Sequence, residues 1–288
     1  MILASASVPA GVEPAGTSAD ISGDPGTAGS SAVASADGAV GPVLRVSGLV
    51  RRFGGMIAVD ALDLDLAPGE RLAVIGPNGA GKTTLFRLIA GELRPDAGSI
   101  GMLGEDVTRL PAWRRARLGL SRTYQVANLF GRLTVADNIR LAMTSGRPSG
   151  WRSVRPISRD DAIASETEDL LERVDLAGRM RTTVAALSHG EQRQLEIAMA
   201  LAARPRLLLL DEPAAGLSAA ERGMLRALIQ GLPRTLPLVL IEHDMSIVFD
   251  LADRVLCLHQ GRPVATGTPD QIRADERVQA VYLGRAHA

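Results

Sequence analysis

Residues 76–83 read Gly76-Pro77-Asn78-Gly79-Ala80-Gly81-Lys82-Thr83, and they meet every fixed position of the pattern G-x-x-x-x-G-K-[ST]. Just before them, Leu72-Ala73-Val74-Ile75 is a short apolar run of strand character. Just after them, Thr84 to Ala90 places Leu85, Leu88 and Ile89 at helical spacing, and Gly91 closes the run. A strand, a glycine-rich turn and a helix start are the setting in which this pattern cradles phosphate. The glycines let successive backbone N–H groups turn toward an anion, and the helix start adds its positive end. Gly76, Pro77, Asn78, Gly79, Ala80, Gly81 and Thr84 are therefore candidate nucleotide-phosphate residues. Lys82 would reach the β- and γ-phosphates, and the Thr83 hydroxyl would bind Mg²⁺. Lys82 is also the only lysine in the chain. A compact ammonium on a flexible stem fits a tight loop where a planar guanidinium would not.

The bulk properties narrow the alternatives. At 288 residues the chain has room for one large domain or two small ones. Its formal net charge is zero, so no general attraction to nucleic acid is indicated. Aromatics make up only 3% of the residues, which argues against base-stacking platforms. The cluster Arg114, Arg115 and Arg117 is expected to be a solvated helix face rather than a nucleic-acid site. Cys257 is the single cysteine and sits in the apolar run Val255 to Leu258, so a buried core position is expected and an intramolecular disulfide is impossible. That agrees with a reducing cytoplasm. No apolar run approaches the ~18 residues of a membrane-crossing helix, so work at a membrane requires another chain to span it. Residues 1–42 are dominated by Ala, Gly, Ser, Pro and Asp and contain no Arg or Lys. They predict a disordered low-complexity extension without the basic and apolar regions of a signal peptide.

Outward from the loop, the pattern alternates. Val43 to Val46, Ile57 to Val59 and the alternating Leu62, Leu64 and Leu66 read as strands. So much strand before the first helix predicts an antiparallel sheet beside the nucleotide-binding core. Phe53 is the lone aromatic of this opening; it reads equally as a face for adenine or as core packing. Leu120 to Val126, which carries Gln125, reads as a strand or its edge. Thr134 to Met143 and Asp160 to Leu176 then predict helices, the first with a capping box of Thr134 and Asp137. Ser188 and Glu191 have the same capping-box spacing before Leu195, Ala198, Met199 and Ala202. Leu207 to Leu210 is a buried strand by composition, ending in Asp211-Glu212. Leu238 to Ile241 is another, ending in Glu242-His243. This alternation predicts a parallel α/β sheet with a helical insertion, and ligands at the carboxyl ends of the strands, where Gly76, Asp211 and His243 all fall. A rigid carboxylate at Asp211 suits Mg²⁺, and Glu212 beside it suits a general base. A lone histidine after a strand is more often structural.

From Val43 to Leu283 the sequence resembles the ATP-binding subunit of an ABC transporter. Gly76 to Thr83 is similar to the Walker A loop, Gln125 stands at the Q-loop glutamine, and Leu187-Ser188-His189-Gly190-Glu191-Gln192 looks like the signature motif. Leu207 to Asp211 looks like Walker B, Glu212 stands at the catalytic glutamate, Ala215 to Ser218 at the D-loop, and His243 at the switch histidine. Each motif is modest alone, and the order is specific. The resemblance implies a P-loop NTPase (RecA-like) α/β core with a parallel sheet, an N-terminal antiparallel β subdomain and an α-helical subdomain over about residues 127–203, all within 43–288. It implies Mg²⁺ held by Thr83, Gln125 and Asp211, adenine on Phe53, and catalytic roles for Glu212, His243, Gln125 and Lys82. Ser188 and Gly190 would face the γ-phosphate of ATP on an opposite subunit, so hydrolysis would need a dimer. Three positions depart from the family pattern: His189 stands where Gly is usual, Glu191 where Gln is usual, and Ser218 where the D-loop commonly has Asp.

Finer similarity reaches the branched-chain (hydrophobic) amino-acid importer ATPases. It is carried by Arg51-Arg52-Phe53-Gly54-Gly55, Ser121 to Gln125, Leu129-Phe130, Thr134 to Ile139, Pro213 to Leu217 and Tyr282-Leu283-Gly284, and the stretch Met143–Asp160 is similar to an insertion in one of that importer's ATPases. This implies a peripheral protein on the cytoplasmic face of the inner membrane, with two permease subunits, a second ATPase and, indirectly, an extracytoplasmic solute-binding protein. Nucleic acid is not expected. Related systems carry urea or short amides. An exporter ATPase is disfavoured by the long helical insertion. A soluble ABC protein acting on ribosomes or DNA is disfavoured by charge and by the single nucleotide domain.

Overall fold

The computed structural model describes residues 41–123, 129–145 and 161–283. Gln125, residues 146–160 of the insertion, Gly284 and all but the last two residues of the N-terminal extension lie outside the described residues.

The chain opens with β1 (Leu44–Phe53) and β2 (Met56–Leu66), an antiparallel hairpin turning at Gly54-Gly55. The phosphate-loop unit follows as β3 (Arg71–Ile75) and α1 (Lys82–Ala90). β4 (Ala97–Met102) and β5 (Glu105–Asp106) return to the hairpin, giving an antiparallel sheet of order β2-β1-β4-β5. The residues read as two strands over 57–66 form one. Ala61 has φ +44, and the pairing slips there: Leu49 faces Leu62 but Arg51 faces Val59. The extra residue breaks the alternation, so Val59 and Leu62 are both buried although three positions apart.

The second sheet is built from β3, β6 (Leu120–Arg122), β7 (Leu207–Asp211), β8 (Leu238–Ile241), β9 (Arg254–His259) and β10 (Arg262–Gly267), in the order β10-β9-β3-β8-β7-β6. All neighbours pair in parallel except β9 and β10. Every residue of β3, β7 and β8 is buried, because both faces are covered. Leu207, Leu209, Val239 and Ile241 pack with α1 through Leu85, Phe86, Leu88 and Ile89. Leu208, Leu210, Leu238 and Leu240 face the other way. They meet Ile197 of α5 (His189–Ala202), Leu225 and Ile229 of α6 (Ala219–Gln230), and Ile247 and Leu251 of α7 (Met245–Leu251). Between β6 and β7, α3 (Val135–Ser145) and α4 (Asp161–Arg173) pack with α5 around Val135, Ile139, Leu171, Val174 and Leu195. At the C-terminal end, α8 (Pro269–Ala274) and α9 (Glu276–Leu283) place Ile272 and Val278 on a cluster that includes Ile75 and Cys257. Cys257 is fully buried, and burial pushes its thiol up to about 11.

One expectation is corrected. α2 (Ala112–Leu118) carries Arg114, Arg115 and Arg117, but the cluster is not one solvated face. Arg114 and Arg117 are exposed and flank the Trp113 ring at 5.2 and 5.0 Å. Arg115 is only 1% exposed. Its guanidinium donates to Leu88 O and Ile89 O at 2.7 Å each, and to Leu110 O at 3.0 Å. A cation at the negative end of α1 adds donors to its last carbonyls, of which Leu88 O also accepts from Gly91 N–H at 3.1 Å, so the phosphate-loop helix is buttressed at its far end.

Candidate active site

The carboxyl ends of β3, β8 and β7 lie side by side, and each delivers one part of the site. β3 delivers the loop Gly76–Gly81. Gly76 has φ +144 and Gly81 φ +102. A Cβ on Gly76 would stand 2.2 Å from Leu258 O, and one on Gly81 2.3 Å from Ala58 O. Only glycine lets the loop press this closely on β9 and β2. Gly81 is the N-cap of α1, no side chain caps that helix, and its first turn contains no acid. Lys82 is buried, with Nζ donating to Gly76 O at 2.6 Å and Pro77 O at 3.1 Å. Asn78, Gly79 and Thr83 are exposed at the loop surface, Thr84 is half-buried, and Pro77 and Ala80 are buried.

β7 delivers Asp211, 1% exposed. Its Oδ2 accepts from Arg122 at 2.7 Å, and its N–H donates to Thr123 Oγ1 at 3.2 Å. Oδ1 is buried and has no hydrogen-bond partner among the described residues. Burial pushes the Asp211 carboxyl above the usual carboxylate range, the Arg122 guanidinium pulls it back, and Glu212 pushes it up again. Arg122 also donates to Glu92 at 2.9 Å and lies 5.8 Å from the Phe86 ring centre. A buried carboxylate with one oxygen tied and the other unpartnered fits a hydrated divalent cation, and an all-oxygen donor set of Asp211 and the Thr83 hydroxyl suits Mg²⁺ rather than a softer metal.

Glu212 continues the sheet by one bond, N–H to Ile241 O at 3.0 Å, and then turns sharply. Its φ of +45 is uncommon for a side-chain-bearing residue and costs on the order of 1–3 kcal/mol, the kind of strain found at functional sites. β8 ends in Glu242, which is fully buried, and His243, whose side chain is 62% exposed. Phe53 ends β1, 39% exposed with the Arg51 guanidinium 4.8 Å from its ring centre; of its two readings, core packing does not hold.

Ser188 caps α5 in a complete capping box with Glu191. The N–H of Gly190 donates to Glu221 Oε1 at 3.1 Å, and Glu221 in turn closes the capping box of α6 on Ser218. His189 Nε2 lies 3.4 Å from Ala215 O. The unusual residues His189 and Ser218 therefore belong to one contact zone between the starts of α5 and α6. The structure brings together Gly76–Thr84, Asp211, Glu212 and His243 at one sheet edge. Ser188 and Gly190 sit at the start of α5, and Gln125 lies outside the described residues. Sequence reasoning missed Arg122, Glu242 and the tie between Gly190 and Glu221. Of these only Glu242 left a signal, since it ends an apolar four-residue run as Asp211 does.

The ABC transporter family profile matches residues 59–215, more than half of the chain, and the profile of the branched-chain amino acid ATP-binding cassette transporter matches residues 262–288. The chain is 40% identical over 252 residues to the high-affinity branched-chain amino acid transport ATP-binding protein BraF of Pseudomonas aeruginosa, covering 85% of this chain and 99% of that protein. It has the same identity and coverage with LivG of Escherichia coli K12, another high-affinity branched-chain amino acid transport ATP-binding protein. Among solved structures, the ADP conformation of the ATP-binding cassette MJ1267 superposes with a TM-score of 0.76 at 25% identity, covering 85% of this chain and all of the other. A nucleotide-free cassette from an ABC transporter superposes with a TM-score of 0.73 at 25% identity, over 84% and 98%. With the phosphate loop and the acidic strand end side by side and these similarities over most of the chain, this chain belongs to the ABC transporter family as one of its ATP-hydrolysing cassettes.

Proposed function

We propose that this ATPase powers uptake of branched-chain or related amino acids. In this reading it sits on the cytoplasmic face of the inner membrane against two permease subunits and is paired with a second ATPase, while an extracytoplasmic solute-binding protein supplies the substrate. The observation that carries the substrate class is the match of residues 262–288 to the branched-chain amino acid cassette profile, supported by full-length similarity to BraF and LivG. No helix among the described residues is long and apolar enough to cross a membrane, which supports separate membrane-spanning partners.

The site supports the following assignment. The loop N–H groups of Gly76–Thr84 and Lys82 hold the ATP phosphates, and Phe53 offers its second face to adenine. Lys82 exchanges its two carbonyl partners for phosphate oxygens as ATP enters. Thr83 and Asp211, with Gln125, would hold Mg²⁺, which when bound neutralises charge between the β- and γ-phosphates. Arg122 ties Asp211 Oδ2 and so leaves Oδ1 as the oxygen without a hydrogen bond among the described residues. Glu212 takes the proton of the attacking water as that oxygen bonds the γ-phosphorus and ADP departs. His243, whose side chain is exposed, bonds the γ-phosphate. Ser188 and Gly190 engage ATP held by the opposing subunit.

A tagged pull-down from gently solubilised membranes, read by mass spectrometry, tests the transport reading. Two multi-span permeases and a second ATPase are expected; ribosomal proteins, or a chain with no membrane partner, would sink it.

A further inference from the structure

We infer that Glu242 is a positioning residue that fixes the turn carrying Glu212 relative to the loop carrying His243. It stands at the end of β8, 0% exposed. No arginine or lysine lies within ion-pair distance of it among the described residues. Its oxygens instead receive backbone N–H groups from two different segments. Oε1 accepts from Ala214 at 2.8 Å, and Oε2 accepts from His243 at 3.1 Å, with His243 Nδ1 at 3.8 Å. Ala214 lies inside the tight turn closed by Ala215 N–H on Glu212 O at 3.1 Å, and Glu212 N–H bonds Ile241 O. One carboxylate therefore spans the gap between the two turns that follow β7 and β8.

An aliphatic side chain would fill this position without the cost of burying a carboxylate, so packing alone does not account for Glu242. Two acceptor oxygens account for it: one turn has a buried N–H and the other a partly buried N–H to satisfy, and a carboxylate is the short side chain that serves both. Glutamine has one acceptor oxygen and places an NH₂ against the second N–H. Glu242→Gln therefore releases one turn while keeping volume. The two turns would then drift apart at the scale where small misplacements cost most of the rate.

The inference rests on the roles proposed for Glu212 and His243, so His243→Ala and the double variant are assayed beside Glu242→Gln. The assay uses the full-length chain in its ATPase dimer, with kcat and KM for MgATP and the Kd of a fluorescent ATP analogue. Glu242→Gln should lower kcat about 10- to 100-fold with the analogue Kd within about twofold of wild type. In the His243→Ala background the same change should cost far less, because one of the two groups whose relative position it fixes is gone. Unchanged kcat, an equal loss of nucleotide affinity, or the same fold-loss in both backgrounds would overturn the inference. If His243→Ala itself keeps full turnover, the role of His243 fails and that of Glu242 falls with it. If Glu242→Gln does not fold, the same readouts on Glu242→Asp decide: its shorter carboxylate should lower kcat without shifting Kd, and wild-type kcat would overturn the inference.

Discussion

Two helices follow the phosphate loop and the signature-like motif, and they begin differently. α1 starts on Gly81, with no side-chain cap and no acid in its first turn. α5 starts on Ser188, whose hydroxyl accepts from Glu191 N–H while the Glu191 carboxylate accepts from Ser188 N–H. A second carboxylate, Glu221, takes the N–H of Gly190. Both starts offer the same positive dipole end. One is left open to an external anion; in the single chain the other is occupied by carboxylates of its own, which ATP on an opposing subunit would have to replace. Glu191 and Glu221 are held below the usual carboxylate range, each first by its own serine. The difference teaches that helix starts alone do not make phosphate sites: what the chain places against them decides whether the anion comes from outside.

The largest effect tests the charge balance behind the open end. Arg122→Met leaves Asp211 buried without its cation, and removing one partner of a buried pair costs about 3–5 kcal/mol. Denaturant unfolding should show that loss, and added MgATP should recover part of it by binding the folded form. A next-smaller effect belongs to the loop. Lys82→Ala removes a charged donor worth roughly 1.5–3 kcal/mol to phosphate, or 10- to 100-fold in ATP affinity. Near-normal affinity by titration with a fluorescent analogue would contradict the open end's assignment. Ser188→Ala sharpens the contrast. It should cost about 1 kcal/mol of stability and a few degrees in Tm by thermal unfolding, with ATP affinity of the isolated chain within about twofold. A large loss of that affinity would place the closed end in the same-chain site. The smallest signal comes from Cys257 on β9. With its thiol pushed up to about 11 by burial, only about one molecule in a thousand is thiolate at pH 8. Iodoacetamide should leave it unlabelled until denaturant is added.

Much of this was legible. Leu72–Ile75, Leu207–Leu210 and Leu238–Ile241 read as buried strands because a sheet covered on both faces needs apolar residues at every position. The box at Ser188 read correctly because capping is local, three residues wide. Arg115 did not, since its partners at Leu88 and Ile89 lie 27 and 26 residues away, and a cation beside two exposed arginines carries no mark of burial. The bulge at Ala61 hid that residues 56–66 are one strand. Arg122 and Glu242 were passed over for the same reason as Arg115: their partners Asp211 and Ala214 lie 89 and 28 residues away. The closure of Gly190 by Glu221 joins two helix starts 31 residues apart, and no local spacing encodes it.

The account stands on Glu212 as the base beside this phosphate loop. The most direct test is Glu212→Gln, with ATP turnover and ATP binding measured on the same preparation. The predicted result is turnover lower by about 10²–10⁴-fold with ATP affinity retained. Turnover near the wild-type rate would remove Glu212 from that role and contradict the account.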